Sequence, residues 1–337
     1  MREGAAAVLA IDGGNSKTDV ALVAADGRLL AVIRGPTISH QAVGLGPGMA
    51  TLRALVTEAT RRAGTADAEP AVADIAVGCL AGADYPSDVR LLRRAIERQG
   101  FATRTLVFND TFAALRAGTH RPWGVALICG QGINGAAVAP DGRTARFDGL
   151  GPISGDWGGG GAVGEAALGA AVRAQDGRGR RTQLARLVPA HFGLRSPAAV
   201  TRAIYQGRIA ESSVSELSPL VFEAAGAGDA VARDIVWRLA DELAAMASAL
   251  IRRLRMRRAD VEVVLAGGLF RADDPPFYER IEAGIQAVAP AARLVRLTAP
   301  PVLGAALVGL DHLPPRAAAS PAAETRIRAA LEGWRPD

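Results

Sequence analysis

The sequence predicts an α/β protein of two domains in which one small hairpin unit occurs twice. The chain has 337 residues, and at roughly 150 residues per domain this length favours two domains. Short apolar runs alternate with longer runs of helical periodicity, which is typical of α/β architecture. The unit keeps its register, because Ile11 and Ile128 are separated by almost the same number of positions as Asp26 and Asp141. We therefore expect a duplicated fold.

Composition indicates a globular protein and excludes several other classes. Hydrophobic residues make up 49% of the chain and charged residues 22%, enough apolar surface to offset the entropy of folding. A net charge of +5 permits nucleic-acid binding without demanding it. Cys79 and Cys129 are too few for a disulfide scaffold or a four-ligand zinc site. No apolar window is long enough for a transmembrane helix, and the apolar start at 5–11 is too short for a signal peptide, so we expect a cytoplasmic protein.

Strands and helices are expected to alternate in the first domain, residues 1–115. The Asp26-Gly27 turn, which tolerates positive φ, predicts a hairpin, and both predicted helices end at a glycine. The predicted strands are 8–11, 18–24, 28–34, 72–78 and 104–108, and the predicted helices are 49–64 and 86–100.

The hairpin unit returns at the start of the second domain, residues 116–312. A helical insertion at about 162–258 follows it, and a linker with a final amphipathic helix is expected at 313–337. The predicted strands of this half are 125–129, 135–139, 143–147 and 261–265, and its predicted helices are 163–174, 197–206, 215–256, 277–288 and 302–310.

A glycine loop between the first two strands is a candidate phosphate site. Its glycines allow main-chain N–H groups to turn toward an anion, and Lys17 is the only lysine in a chain that otherwise uses arginine. Asp12, at the strand end, is a candidate ligand for Mg²⁺, directly or through water. The alternative is a tight turn without a ligand. The loop consists of Gly13, Gly14, Asn15, Ser16, Lys17 and Thr18.

Further motifs follow the later strands. Gly130, Gln131 and Gly132 occupy the corresponding loop of the second unit, where the alternative is an equivalent turn with no ligand. Asn109 and Asp110 follow a strand and precede a helix, so Asp110 is either a base at the carboxyl edge of the sheet or a helix cap.

Two glycine-rich segments complete the set of motifs. Gly155, Asp156 and Trp157 precede four glycines at 158–161, a plausible cleft lining or a linker. Gly267 and Gly268 end a strand, where a flat ring can approach the backbone; the alternative is a helix-start turn.

In order, these motifs resemble those of the superfamily of actin and hexokinase. They are most similar to the BadF/BadG/BcrA/BcrD ATPase family, which includes N-acetylglucosamine kinase. The resemblance runs over about residues 8–310. It implies two actin-like (ribonuclease H-like) α/β domains around a nucleotide cleft, with ATP and Mg²⁺ as cofactors and a sugar as acceptor.

The resemblance also assigns roles to residues. Asp12 organises Mg²⁺, residues 13–18 and 130–132 form two phosphate loops, and Gly267-Gly268 abuts the adenosine. Asp110 becomes the general base for a sugar hydroxyl, and cleft closure excludes water. The implied sugar contacts are Ser39, His40, Asn109, Asp110, Gly155 and Asp156.

Three departures from the family pattern concern the ligands. The family often has Gly-Asp-Glu-Gly-Ser where this chain has Trp157 and glycines, and small hydroxyl residues where it has Gln131 and Ile133. Residues 37–41 stand where the sugar kinases carry an asparagine-histidine pair. The departures leave the identity of the sugar open.

The leading hypothesis is an ATP-dependent kinase of an amino sugar such as N-acetylglucosamine. The alternatives are an ATPase that activates a dehydratase through a cysteine-held iron–sulfur cluster, and a sugar or nucleotide sensor without turnover. The expected partner is a small sugar or amino sugar, with a homodimer as an open alternative to a monomer. No nucleic-acid or membrane partner is expected.

Overall fold

The computed structural model describes residues 6–65, 71–314 and 320–334. They form two compact units. Unit 1 contains the described residues up to Gly124 and again from Leu297 onward, and unit 2 spans Val125–Arg296.

A five-stranded mixed sheet forms the middle layer of unit 1, in the order β3-β2-β1-β4-β5. Strands β1, β2 and β3 pair antiparallel as the predicted hairpins, whereas β4 and β5 run parallel to β1. The carboxyl ends of β1, β4 and β5 therefore meet at one edge of the sheet. The strands are β1 (Ala6–Gly13), β2 (Lys17–Val23), β3 (Leu29–Pro36), β4 (Ala73–Leu80) and β5 (Ala102–Asn109).

Alternating side chains of β1 supply two separate cores. Leu9 and Ile11 pack with Leu52 and Ile96 of the helices α1 (Leu45–Ala63) and α2 (Pro86–Glu97). Val8 and Ala10 point to the other face, where they join α3 (Thr111–Gly118) and apolar residues from the end of the chain. Because strand side chains alternate between faces, both sides of this sheet are buried.

Unit 2 repeats this sheet with the same order of strands. Its order is β10-β9-β6-β7-β8, which read in reverse matches that of unit 1 strand for strand. The predicted duplicated α/β fold is thus confirmed. The strands are β6 (Gly124–Cys129), β7 (Ile133–Val138), β8 (Thr144–Arg146), β9 (Glu262–Ala266) and β10 (Arg293–Arg296).

The predicted helical insertion lies between β8 and β9. Its helices are α4 (Gly159–Gln175), α5 (Leu184–His191), α6 (Pro197–Tyr205), α7 (Ser218–Gly226) and α8 (Ala230–Arg253), and α9 (Pro275–Gln286) follows β9.

The predicted continuous helix 215–256 is wrong. Glu211–Leu217 is a 3₁₀ turn, and the chain breaks again between α7 and α8. Gly228 has a φ of 86°, which ends the first helix. Asp229 then caps α8 by accepting hydrogen bonds from the amides of Val231 and Ala232.

The described chain from Leu297 onward belongs to unit 1. The prediction that the second domain extends to residue 312 is therefore wrong. Helix α10 (Val302–Asp311) packs on β1 and α3, and α11 (Pro321–Glu332) follows it. A Cβ at Gly304 would lie 1.7 Å from the carbonyl oxygen of Ala113, so only glycine allows this approach. The predicted linker residues 315–319 lie outside the described residues.

Buried Arg116 joins α3 to both C-terminal helices. Its guanidinium contacts Asp311 of α10 and Glu324 of α11, each at 2.7 Å, and donates to the carbonyl oxygen of Thr119.

Among the helices described here, none has the length and apolarity needed to cross a bilayer.

Replacing Arg116 with methionine is expected to lower the free energy of unfolding by about 3 kcal/mol. This is the low end of the range for a broken buried pair, because Asp311 and Glu324 keep 23% and 21% of their side-chain surface exposed. Urea unfolding measures the loss. The matched control is Arg62→Met, which removes an exposed pair with Glu58 and is expected to cost at most about 1 kcal/mol. Equal losses in both variants would contradict the structural role of Arg116.

Candidate active site

The first glycine loop is a tight turn between β1 and β2. The amide of Gly14 donates to the carbonyl oxygen of Lys17 at 2.9 Å, so Asn15 and Ser16 form the exposed tip. Lys17 is exposed as well. Thr18 is fully buried, and its hydroxyl accepts from the amide of Ile38. The side chain of Thr18 therefore supports the loop from below.

Asp12 lies in a row of polar side chains that crosses the sheet. It pairs in register with Asp19 of β2, and Asp19 pairs with Arg34 of β3. Arg34 donates two hydrogen bonds of 2.6 Å to the buried carboxylate of Asp19. This bidentate pair, which we call the Arg34 fork, neutralises the charge of Asp19. Asp12 has no such arginine partner among the residues of this row.

The environment of Asp12 favours its protonated form. Burial, and after it the negative charges of Asp19 and Asp110, raise the pKa of Asp12 to about 8. The positive charges of Lys17 and Arg34 act in the opposite direction. A cation beside Asp12 would therefore relieve an unfavourable concentration of negative charge.

Asp110 lies where β5 ends and α3 begins, and its side chain does not cap that helix. Asn109 does so instead, because its Oδ1 accepts from the amide and the hydroxyl of Thr111 at 3.2 and 2.7 Å. Asn109 is buried with both ends of its amide in hydrogen bonds. The helix-cap alternative for Asp110 is therefore wrong. Asp110 lies close enough to Asp12 to raise its pKa.

Asp84 joins Asn109 to the segment 37–41 and was not predicted. Its Oδ1 accepts from Asn109 Nδ2 at 3.0 Å, and its Oδ2 accepts from Gln41 Nε2 at 3.5 Å. Gly82, at a φ of 79°, lets this turn approach the segment, since a Cβ there would lie 2.9 Å from His40 Cε1. No sequence motif marked Asp84, because its partners are distant in the chain.

Ser39 and His40 carry polar atoms that the described residues leave unsatisfied. Ser39 is 3% exposed, and neither its Oγ nor Nδ1 of His40 has a hydrogen-bond partner. A buried polar atom without a partner costs roughly 1–3 kcal/mol. Two such atoms on adjacent residues, beside the Asp84 turn, are typical of a position prepared for a polar ligand.

Three glycine segments of unit 2 converge at the end of β6. A Cβ at Gly159 would lie 2.5 Å from the carbonyl oxygen of Gln131, and one at Gly267 would lie 2.3 Å from that of Cys129. Both glycines have positive φ, so other residues would be strained here. The amides of Gly160 and Gly161 donate to the carbonyls of residues 130 and 131. The glycine run 158–161 is thus a packed helix start and not a mobile linker.

A cavity of about 740 Å³ opens beside these glycines. Gly130, Gln131 and Gly268 line it together with α7, and we call it the glycine-rim cavity. The α7 wall and the polar rim were not predicted, because an apolar helical pattern looks the same in a core and in a cavity wall. The unpredicted lining residues are Ser215, Ser218, Pro219, Phe222, Glu223, Arg271 and Asp273.

Gly155 and Asp156 line a separate, smaller cavity of about 220 Å³. Asp156 accepts a hydrogen bond from Ser154, and Glu242 of α8 lies in the same cavity wall. Trp157 also lines it, and the guanidinium of Arg238 stacks 3.9 Å from the centre of the indole. The predicted sugar residues of unit 2 thus lie apart from the glycine-rim cavity.

The cysteines of this chain are poorly suited to binding a metal ion, whereas the carboxylate of Asp12 is suited to Mg²⁺. Cys79 and Cys129 are buried free thiols, and burial raises the pKa of Cys129 to about 12, which disfavours the thiolate that binds metal. The described residues hold no cluster of three or more His, Cys, Asp or Glu side chains suited to a metal ion. Mg²⁺ needs only one or two carboxylates beside the oxygens of its substrate, and the half-buried carboxylate of Asp12 fits that requirement.

Comparison with known proteins identifies sugar kinases among the relatives of this chain. An N-acetylmuramic acid/N-acetylglucosamine kinase of Clostridium acetobutylicum is 30% identical over 263 residues, covering 78% of this chain and 85% of the relative. An N-acetyl-D-glucosamine kinase of Dictyostelium discoideum is 26% identical over 311 residues, covering 90% and 97%.

Solved structures extend the agreement to the fold. A protein of Chromobacterium violaceum, provisionally named an N-acetylglucosamine kinase, superimposes with a TM-score of 0.68 at 26% identity, over 91% of this chain and 99% of that one. A ROK hexokinase of Thermus thermophilus shares the fold, with a TM-score of 0.53 at 20% identity over 89% and 97%. The model of the BadF/BadG/BcrA/BcrD ATPase family matches residues 9–309, and the chain belongs to that family.

Proposed function

We propose that this chain is an ATP-dependent kinase that transfers the γ-phosphoryl group of ATP to a hydroxyl of an amino sugar of the N-acetylglucosamine type. The observation that carries the proposal is the position of Asp110 at the carboxyl edge of the sheet, with its carboxylate not used as a cap and with Asp12 nearby. The names of the relatives from Clostridium and Dictyostelium support the same activity.

Asp110 is the proposed general base. Its carboxylate accepts the proton of the attacking sugar hydroxyl as the oxygen forms its bond to phosphorus, and the bond from phosphorus to the leaving oxygen of ADP breaks. Asn109 positions this base, since its hydrogen bonds to Thr111 and Asp84 fix the start of α3. It acts on the sugar through Asp110 and not by a contact of its own.

Each unit, taken by itself, carries glycine residues that are proposed to bind part of a nucleotide. The glycine-rim cavity of unit 2 is the proposed adenosine site, with Gly267 and Gly268 against the ring and Gly130 to Gly132 at the phosphates. Residues 13–18 of unit 1 form the other phosphate loop. Lys17, the exposed cation of that loop, is suited to a phosphate oxygen.

Asp12 is the proposed protein ligand of Mg²⁺. When bound, the metal ion neutralises the negative charge that develops on the phosphates. Asp12 itself supplies a carboxylate oxygen, while the Arg34 fork keeps Asp19 paired within the sheet. The site therefore presents one unpaired carboxylate to the metal ion and one neutralised carboxylate beside it.

Candidate sugar-binding residues are proposed in each unit separately. In unit 1, Ser39 Oγ and His40 Nδ1 would gain the partners that the described residues do not provide. In unit 2, Gly155 and Asp156 line the small cavity beside Trp157. A hydroxyl-rich ligand matches such unsatisfied donors and acceptors, since each buried polar atom then forms its hydrogen bond.

Replacing Asp110 with asparagine is expected to lower the turnover number at least about 100-fold, because a positioned base contributes roughly 10²–10⁴. ATP binding, measured by calorimetry, is expected to persist. The assay follows Mg²⁺-dependent ADP release with N-acetylglucosamine, glucosamine, N-acetylmuramic acid, N-acetylmannosamine and glucose.

The matched control for that experiment is Asp74→Asn, at an exposed aspartate of the same unit. Unchanged turnover in Asp110→Asn would remove Asp110 as the base. ADP release that needs no sugar would instead support an ATPase that activates another enzyme.

Replacing Ser39 with alanine is expected to raise the KM for the amino sugar several-fold and to leave the KM for ATP unchanged. The free energy of unfolding is expected to stay equal or to rise by up to about 1 kcal/mol, since the variant removes a buried hydroxyl without a partner. Ser87→Ala, at an exposed serine of α2, serves as the control. A stability loss without any change in the sugar KM would contradict a ligand role for Ser39.

Replacing Asp12 with asparagine is expected to stabilise the metal-free protein increasingly as the pH rises from about 5 to 8. The folded chain holds a proton on Asp12 up to a pKa of about 8, whereas the unfolded chain releases it near pH 4. Stability is therefore lost as the pH rises through this window, and the variant removes that loss.

Thermal unfolding at several pH values measures this effect, with Asp141→Asn as a control at an exposed turn. Addition of Mg²⁺ at pH 8 is expected to raise the Tm of the parent chain more than that of Asp12→Asn. If the Tm of the parent chain and that of Asp12→Asn depended on pH in the same way, the raised pKa assigned to Asp12 would be contradicted.

A further inference from the structure

A further cavity of unit 2 has a volume of about 780 Å³ and is lined by arginine. It lies between α4, the turn after α4, and the first half of α8, and we call it the arginine cavity. It shares no lining residue with the glycine-rim cavity. Its charged lining consists of Arg173, Arg178, Arg180, Arg238 and Asp234.

Two of the four arginines form ion pairs with carboxylates, and the charge of Arg173 also acts on Asp176, whose pKa it helps to lower. Arg178 pairs with Asp176 at 2.7 Å, and Arg180 pairs with Asp234. Within the described residues, Arg173 donates only to the carbonyl oxygen of Arg178, and Arg238 has no ion-pair partner. The cavity thus keeps two positive charges in excess, which attract an anion and disfavour a cation.

Trp157 holds the guanidinium of Arg238 in a defined orientation. The indole is half-buried, and the guanidinium lies over its face at 3.9 Å. A guanidinium stacked in this way keeps its N–H groups in its own plane, where they match the two oxygens of a carboxylate or phosphate. The stack therefore prepares Arg238 for an oxyanion before the ligand arrives.

The arginine cavity adjoins the small cavity that contains Asp156. Trp157 lines both, and α8 contributes Arg238 to one and Glu242 to the other. Residues four positions apart lie one above the other on the same face of a helix. A ligand in the small cavity that carries an acidic substituent could therefore place that substituent beside Arg238.

We propose that the arginine cavity binds a small oxyanion, a carboxylate or a phosphate monoester, through Arg173 and Arg238. The anion has two sources, a substituent carried by the acceptor sugar or a free anion. The first source rests on the proposed kinase function, and the second does not. In either case the arginine cavity shares no lining residue with the glycine-rim cavity, the proposed adenosine site.

Calorimetry and tryptophan fluorescence test the binding directly. The probes are inorganic phosphate, N-acetylmuramic acid, which carries a carboxylate on the amino sugar, and neutral N-acetylglucosamine. We expect at least one of the two anionic probes to bind at least about tenfold more weakly to the double variant Arg173→Gln, Arg238→Gln. The affinity for N-acetylglucosamine is expected to change less than twofold. Trp157→Phe identifies the part of the fluorescence signal that comes from the cavity.

The variants suit this test because the side chains of Arg173 and Arg238 are exposed, so folding is retained. Arg186→Gln, at an exposed arginine of α5 outside the cavity, is the matched control. Unchanged affinity of the double variant for both anionic probes would overturn the proposal. An equal loss in Arg186→Gln would overturn it as well, since it would reflect net charge alone.

Steady-state kinetics distinguish the two sources of the anion. If the sugar carries it, the ratio of the KM for N-acetylmuramic acid to that for N-acetylglucosamine rises at least about tenfold in Arg238→Gln. If the anion is free, that ratio stays constant while phosphate affinity falls. Absence of ADP release with every sugar would refute the kinase function alone, because the binding measurements do not depend on turnover.

Discussion

The gathering of carboxyl groups at the carboxyl edge of the unit 1 sheet is the constraint on which the candidate site depends. Parallel pairing of β1, β4 and β5 brings the ends of these strands together, and Asp12 and Asp110 both lie there. Burial, and after it the negative charges of Asp19 and Asp110, raise the pKa of Asp12. The surroundings limit this cost by giving Asp19 its own arginine, Arg34.

In unit 2 the same sheet has a different role, because glycine replaces charge at the corresponding edge. Gly159 and Gly267 let three segments of backbone meet within van der Waals contact, and no carboxylate is needed to hold them. The duplicated fold thus has one sheet edge that carries carboxyl groups and one that consists of closely packed glycine backbone. This difference arises from a few residues at the strand ends and not from the sheets themselves.

The sequence was sufficient for the fold class and for most strands, since apolar runs between turn residues carry that information locally. It was insufficient for elements whose position depends on contacts between residues far apart in the chain. The short strand β10 begins and ends with arginine and has no clear apolar pattern, and α10 joins unit 1 only because Gly304 permits contact with Ala113. In the candidate site, the motifs marked Asp12, Asp110 and the glycine loops. Asp84 and the unsatisfied atoms of Ser39 and His40 became visible only with their neighbours in place.

Unit 1 is discontinuous in the chain, and this has a consequence for biosynthesis. One of its two cores is covered by α10 and α11, which leave the ribosome after all of unit 2 has been made. Until then Val8 and Ala10 lack their apolar neighbours from the C-terminal segment, whereas unit 2 is continuous and has all of its own core. The last core of unit 1 therefore closes only after the whole of unit 2 has been synthesised.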